Sequence, residues 1–263
     1  MTSAAPRVAE PGAAEQPLVN HLLELRTRLL RALAGIALVF LPLAFFAQEL
    51  YTLVAAPLLK LLPPGSAMIA TEVASPFLTP FKLAAVVAFV LALPWVLFQI
   101  WAFVAPGLYK NEQRLVVPLL ASSTAMFYAG VAFAYFLVLP VALGFFVAVA
   151  PEGVSVMTDI SRYLDFVLSL FVAFGLVFET PVALVLLVRT GFVTPAELAA
   201  KRDYVLVGAF VVAAVLTPPD VFSQIMLAVP AYLLYEIGIV AARLLVPGSR
   251  EVEEQRRLEG RKP

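Results

Sequence analysis

Few side chains in this sequence could do chemistry, and the first is a carboxylate inside an apolar run. Glu179 lies within the stretch 174–187, which otherwise has the composition of a lipid-embedded helix. An ionised carboxylate near a bilayer centre costs at least about 2.5 kcal/mol, so it must face protein or water, or hold a proton. Pro181 follows closely and cannot donate a hydrogen bond to the carbonyl of Val177. Glu179 is therefore either a functional polar site or the packed acid of a kinked helix.

Two further acids lie beside basic residues near the ends of apolar runs. Glu24 follows Asn20, a residue type that caps helices, and precedes Arg28 by the four residues of a helical ion pair. It is thus either part of a structural pair or a site for a cationic ligand. Glu112 lies in a short Pro-Gly loop, where it is either a solvated charge or a second binding site.

Catalytic and metal motifs are missing from the sequence. It has no Gly-rich phosphate loop, no HExxH, no nucleophile elbow and no Ser/His/Asp set. Zero cysteines and a single histidine, His21, exclude thiolate and histidine metal clusters. We therefore predict no enzymatic activity, no metal and no cofactor. The net charge of +0 gives no indication of nucleic-acid binding.

Membrane-spanning helices must position these acids. The chain has 263 residues, of which 62% are hydrophobic and 14% charged, and this is too apolar for a soluble domain. Its apolar blocks are 29–46, 83–103, 115–139, 164–188, 204–216 and 225–246. The fifth block is only about 20 Å long as a helix, and Thr217, Pro218, Pro219 and Asp220 form a turn after it. The predicted fold is an all-α integral membrane protein with six transmembrane helices, spans five and six being short.

Basic residues predict the orientation of these spans, because Lys and Arg collect on the cytoplasmic side. Fifteen of the 18 cluster at one set of alternate ends: before and at the start of block one, between two and three, between four and five, and at and after the end of six. The other ends hold only Lys60, Lys82 and Arg162. Both termini are therefore predicted to be cytoplasmic.

The expected organisation has three parts. Residues 1–20 form a disordered cytoplasmic arm, 21–246 form the transmembrane domain, and 247–263 form a charged cytoplasmic tail. In the long outer loop, the run 56–64 predicts a short surface helix ended by prolines. Gly130 and Ala134 have the spacing of a small-residue packing face between transmembrane helices.

Four segments together resemble the TatC family, the large subunit of the twin-arginine protein translocase. They are HLLELRTRL (21–29), WAFVAPGLY (101–109) with Glu112, FETP (178–181) and LTPPDVFSQ (216–224). The resemblance implies a receptor in the bacterial inner membrane that binds the twin-arginine signal peptides of folded proteins. It implies that export is driven by the proton-motive force.

The resemblance also implies roles for particular residues. Signal-peptide binding is assigned to Glu24, Glu112, Arg26, Arg28 and Phe103. Contact with partner subunits in the membrane is assigned to Glu179, Thr217, Asp220 and Gln224, although Asp220 has the alternative of capping span six. Structural roles fall to Pro57, Pro181, Pro218 and Pro219. Gln113 departs from the family, in which a basic residue is common after the loop acid, and makes this loop less positive.

The implied partners are twin-arginine signal peptides, the single-span subunits TatA and TatB, membrane lipids and further copies of the chain, with no nucleic acid. An alternative function is a proton-coupled carrier of small solutes in which Glu179 titrates. Such a carrier more typically has matched broken helices in its two halves, and these are not evident here.

Overall fold

The computed structural model describes residues 15–61, 68–104, 116–149, 157–216 and 221–246. All regular secondary structure among the described residues is helical, apart from one isolated bridge between Ile69 and Asp159. Its helices are α1 (Glu15–Phe45), α2 (Ala47–Leu61), α3 (Ser75–Val104), α4 (Val116–Phe133), α5 (Leu139–Ala148), α6 (Ile160–Phe178), α7 (Thr180–Arg189), α8 (Pro195–Ala200), α9 (Arg202–Leu216) and α10 (Val221–Leu245). The all-α membrane fold is thus confirmed.

Several of these helices join into longer spans. A π-helical turn, Ala134–Val138, connects α4 to α5, and a single turn residue, Glu179, connects α6 to α7. Five segments of the described chain are long and apolar enough to cross a membrane: Leu22–Phe45, Ser75–Ile100, Val117–Ala148, Ile160–Arg189 and Val221–Leu245. Helix α9 supplies the remaining crossing, so spans one to six are α1, α3, α4–α5, α6–α7, α9 and α10.

Side-chain contacts fix the direction of each helix. Arg28 of α1 reaches Gln99 of α3, and the Arg31 carbonyl accepts from Trp95 one turn earlier in α3, so these two helices are antiparallel. Ser123 of α4 meets Glu179 at the end of α6, and Arg202 at the start of α9 meets Glu236 late in α10. The start of α1 and the end of α10 therefore lie at the same end of the bundle, which we call the terminal side.

Two expectations about element lengths need correction. Helix α1 begins at Glu15, so the last residues of the arm expected to be disordered are helical. Span five is short, with 15 residues, but the expectation of a short sixth span is wrong, because α10 has 25 residues. The apolar run of α10 is lengthened at its start by Val221 and Phe222 and continues through Pro230.

Helix α2 also differs from the expected surface helix. It begins at Ala47 and contains Pro57 in its interior, and it buries Val54 and Leu58 against the bundle core. Pro57 has no N–H for the carbonyl of Leu53, four residues earlier. The Tyr135 hydroxyl donates to that carbonyl at 3.1 Å. The proline therefore frees an acceptor that joins α2 to the middle of span three.

The packing face predicted at Gly130 and Ala134 is present. Ala134 is fully buried, and a Cβ on Gly130 would lie 2.4 Å from the carbonyl oxygen of Phe174. Span three thus approaches the backbone of span four directly. This contact places Ser123 beside the break in span four.

At the end opposite the terminal side, the segment before α3 is fastened to the start of α6. Asp159 caps α6 by accepting from the backbone N–H groups of Ser161 and Arg162 at 2.9 and 3.0 Å. Its second oxygen accepts from the N–H and hydroxyl of Thr71. These Thr71 bonds, the side-chain one foremost, lower the pKa of Asp159 to about 2. Ionised Asp159 therefore clamps the two segments together.

Candidate functional site

The predicted receptor acid Glu24 lies in α1 near the terminal side. Its Oε1 is 3.3 Å from Nη2 of Arg28, and its side chain is 36% exposed. The helical spacing of the pair predicted this contact. Arg28 in turn approaches Oε1 of Gln99 at 3.5 Å, and Gln99 is only 2% exposed. A buried amide on span two therefore helps to orient the arginine that holds Glu24.

The other residues predicted for this site fall in two groups. Arg26 is exposed on α1, and Phe103 is half-buried in the last turn of α3, four residues after Gln99. Glu112 lies outside the described residues, as does Gln113. The structure thus brings Glu24 and Arg28 together next to the helix that carries Phe103.

The second candidate group is at the break in span four. Helix α6 ends at Phe178, Glu179 forms a turn, and α7 begins at Thr180 with Pro181 in its first turn. The N–H of Glu179 donates to the carbonyl of Leu176 at 3.1 Å. The kink expected from Pro181 is therefore present at the level of the carboxylate.

The Glu179 carboxylate is incompletely satisfied. Oε2 accepts a hydrogen bond of 2.5 Å from the Ser123 hydroxyl. Oε1 is buried and has no hydrogen-bond partner among the described residues. A buried acceptor without a donor typically costs about 1–3 kcal/mol. This oxygen can therefore take a proton, and a donor from outside the chain would reach it only after a local rearrangement.

Gln224 is not part of the Glu179 group. Its amide donates to the Phe210 carbonyl of α9 at 2.9 Å, so it joins the two helices of the last hairpin. Helix α10 approaches Pro181 through Gly238. Gly238 lies 14 residues after Gln224 and is therefore about 21 Å from it along the helix. Thr217, Pro218, Pro219 and Asp220 lie outside the described residues. The structure thus places Glu179 and Gln224, two of the predicted partner contacts, at different depths in the bundle.

Three polar residues near these groups were missed by the sequence reasoning. Gln99 and Ser123 each bond a predicted site residue from a helix distant in sequence. Their signal is a polar side chain inside an apolar run, although the sequence does not show which partner it meets. Arg202 is the third, since it bonds both oxygens of Glu236 at 2.6 and 2.7 Å. Glu236 is thus held in place by that arginine.

Chemically, the carboxylates of the two groups can bind a cation or a hydrogen-bond donor. The described residues hold no group of three or more metal-ligating side chains. Glu24 can exchange one guanidinium for another without losing charge pairing. Glu179 can accept a hydrogen bond within the membrane.

Comparisons with known proteins agree with the fold and with the motifs. The profile of the family described as Sec-independent protein translocase protein (TatC) matches residues 20–230. The chain is 58% identical to the Sec-independent protein translocase protein TatC of Escherichia coli K12, over 91% of this chain and 93% of that protein. It is 60% identical to the protein of that name in Azotobacter chroococcum, over 86% and 88%.

A solved structure is also similar. The crystal structure described as twin arginine translocase receptor TatC superposes with a TM-score of 0.75 at 38% identity. The match covers 85% of this chain and 98% of that one. Sequence and fold together show that this multi-pass membrane protein belongs to the TatC family of protein translocase components, which are not enzymes.

Proposed function

We propose that this chain is the receptor subunit of a twin-arginine translocase in a bacterial inner membrane. It binds the twin-arginine signal peptides of folded proteins at its terminal side and recruits single-span partner subunits for export driven by the proton-motive force. The observation that carries the proposal is the accessible, arginine-paired carboxylate of Glu24. The structure of a relative described as the twin arginine translocase receptor supports it.

Charge distribution supports a cytoplasmic terminal side. The basic ends of the spans include the start of α1 and the end of α10, which the helix contacts bring to one side. The positive-inside rule assigns such a side to the cytoplasm. Signal peptides of proteins that fold before export reach the membrane from that compartment. Glu24 therefore lies where the ligand arrives.

The Glu24–Arg28 contact is suited to exchange. A single contact of 3.3 Å lacks the two-point geometry that gives Arg–carboxylate pairs their strength. An incoming guanidinium can take both carboxylate oxygens, while Arg28 keeps its contact with Gln99. Lysine lacks the planar fork and gains less from the same site. Glu112 supplies the second acid in this proposal, so that two adjacent arginines each find a carboxylate.

Glu179 is the proposed contact for a partner helix. Its Oε1 has no donor among the described residues, and a polar side chain on a single-span subunit supplies one. Interhelical hydrogen bonds in membranes are worth about 0.6–2 kcal/mol. Further copies of the chain complete the proposed receptor complex. The solute-carrier alternative is set aside, because the relatives are protein translocase components.

Peptide binding tests the receptor assignment. A signal peptide with two arginines and a matched peptide with two lysines are titrated against the wild type and Glu24→Gln in detergent micelles. We expect about a tenfold or greater loss of twin-arginine affinity in the variant, and little change for the lysine peptide. Glu49→Gln, an exposed acid at the opposite end in α2, is the matched control. Unchanged twin-arginine binding by Glu24→Gln would refute the assignment.

Co-purification tests the role of Glu179. Glu179→Ala is expected to insert and to bind signal peptide normally, but to recover less single-span subunit and to lose export. Ser123→Ala keeps the carboxylate and is expected to retain the subunit. If Glu179→Ala instead fails to fold, the acid is a packing residue.

A further inference from the structure

A second potential binding region lies on the terminal half of the bundle, away from Glu24. A cleft of about 470 Å³ opens between α4, α7 and α10. Its apolar walls include Leu119, Met126, Val182, Val185, Ala241 and Leu245. We call it the α4–α7–α10 cleft. Its volume falls in the range of about 300–1,000 Å³ that is usual for sites that bind one small molecule.

A single charged side chain, Arg189, lines this cleft. It is the last residue of α7 and of span four, so it lies at the membrane interface on the terminal side. Its Nε–H is buried and has no acceptor among the described residues. The only other polar lining residue, Ser122, uses its hydroxyl to donate to the Leu119 carbonyl at 2.9 Å. The cleft therefore presents one cation above an apolar interior.

The helices that form the cleft offer Arg189 no counter-charge. Helices α4 and α7 contain no acidic residue. The one acid of α10, Glu236, is bonded through both oxygens to Arg202. Among the described residues, Arg189 takes part in none of the ion pairs. An anion brought to the cleft would meet a guanidinium that has no ion-pair partner among the described residues.

We propose that the α4–α7–α10 cleft binds an anionic phospholipid, with an acyl chain between the three helices and the headgroup phosphate on Arg189. The guanidinium fork matches phosphate oxygens. Basic pockets between transmembrane helices on the cytoplasmic side bind acidic lipid headgroups by this logic. The lipid phosphate thus supplies a counter-charge for Arg189.

The size of the cleft favours a lipid chain over a partner helix. A helix is about 10 Å across, so a volume of 470 Å³ would hold only about one helical turn. An acyl chain is thin and flexible and fits an elongated space between side chains. The lipid proposal also needs no contact with Glu24 or Glu179. It is therefore independent of the receptor function.

Native mass spectrometry of the purified protein in a neutral detergent tests the proposal. Dioleoylphosphatidylglycerol and dioleoylphosphatidylcholine are titrated separately, and the first bound lipid is quantified. The wild type is expected to bind phosphatidylglycerol at least about tenfold more tightly than Arg189→Gln. Phosphatidylcholine is expected to show a smaller difference. Arg243→Gln, which removes an exposed arginine near the end of α10, is the matched control and is expected to bind like the wild type.

Two further variants separate lipid binding from misfolding. Arg189→Lys retains the charge and is expected to keep part of the phosphatidylglycerol preference. Ala241→Phe fills the cleft and is expected to weaken both lipids while leaving Arg189 in place. Equal phosphatidylglycerol binding by wild type and Arg189→Gln would overturn the proposal. So would displacement of the bound lipid by excess inorganic phosphate, or arginine-dependent binding of a partner helix in its place.

Discussion

Replacing Gly130 with alanine tests whether direct backbone contact sets the spacing of spans three and four. An alanine Cβ would lie 2.4 Å from the Phe174 carbonyl oxygen and 2.9 Å from its carbonyl carbon. Ordinary carbon–oxygen contacts are about 3.3–3.6 Å, so the helices must separate by about 1 Å. The obstructing atoms are backbone and cannot rotate away.

The expected cost follows from the contacts that the separation loosens. Phe133 stacks in tilted geometry on Phe174 and Phe178, with both centroid distances 5.4 Å. A gap of about 0.5–1 Å loses a quarter to a half of the attraction between facing atoms. Alanine recovers up to about 1 kcal/mol through its helix propensity. We therefore expect a net destabilisation of about 1–3 kcal/mol, typical of overpacking.

Two other glycines provide controls. A Cβ on Gly144 meets nothing within 4 Å, so Gly144→Ala is expected to be neutral or slightly stabilising. A Cβ on Gly175 would lie 2.5 Å from the ring of Phe127, which can shift. The stability of Gly175→Ala is therefore expected to lie between those of Gly130→Ala and Gly144→Ala. The assay is the unfolding midpoint of each purified variant in detergent. Wild-type stability of Gly130→Ala, or equal destabilisation by Gly144→Ala, would refute the packing argument.

Three more predictions concern single polar contacts. Tyr135→Phe removes the donor to α2 and is expected to cost about 1–3 kcal/mol in the same unfolding assay, whereas Tyr128→Phe, whose hydroxyl is 3.5 Å from its acceptor, is expected to cost less. Because Thr71 lowers the pKa of Asp159 to about 2, the stabilisation that ionised Asp159 gives is expected to be fully present above its unfolded pKa of about 3.9. This stabilisation is expected to be lost as the pH falls through about 2, and Asp159→Asn should remove that step from the pH dependence of the unfolding midpoint. Arg202→Lys loses two-point contact with its glutamate and is expected to lower the melting temperature slightly, and an unchanged melting curve would show the pair to be unimportant.

Local features of the structure followed from sequence patterns. The six crossings follow from the apolar blocks, and the break at Glu179 follows from Pro181. The Glu24–Arg28 pair follows from helical spacing, because both residues belong to one helix. In each case the interacting groups are near neighbours in the chain. A single helix is enough to position them.

Tertiary contacts could not be predicted in this way. Gln99 meets Arg28 across 71 residues of sequence, and Ser123 meets Glu179 across 56. Each depends on how two spans rotate and shift against each other, which is set by packing details such as Gly130 against Phe174. The apolar pattern of a lipid-embedded helix gives little information about rotation, because lipid and core both favour apolar residues. The polar residues of the spans could therefore be identified from sequence, but their partners could not.

The two acids differ in what satisfies them, and this limits what each can bind. Glu24 is partly exposed and already paired with a guanidinium, so exchange for the arginine of a ligand preserves its charge balance. Among the residues that the structure describes, Glu179 has only the Ser123 hydroxyl as a hydrogen-bond partner, and its second oxygen is buried. A fully charged ligand would have to lose its hydration to reach that oxygen, whereas a neutral donor on a lipid-embedded helix would not. The environments of these carboxylates thus favour a cationic peptide at the terminal side and a polar, uncharged helix contact within the membrane.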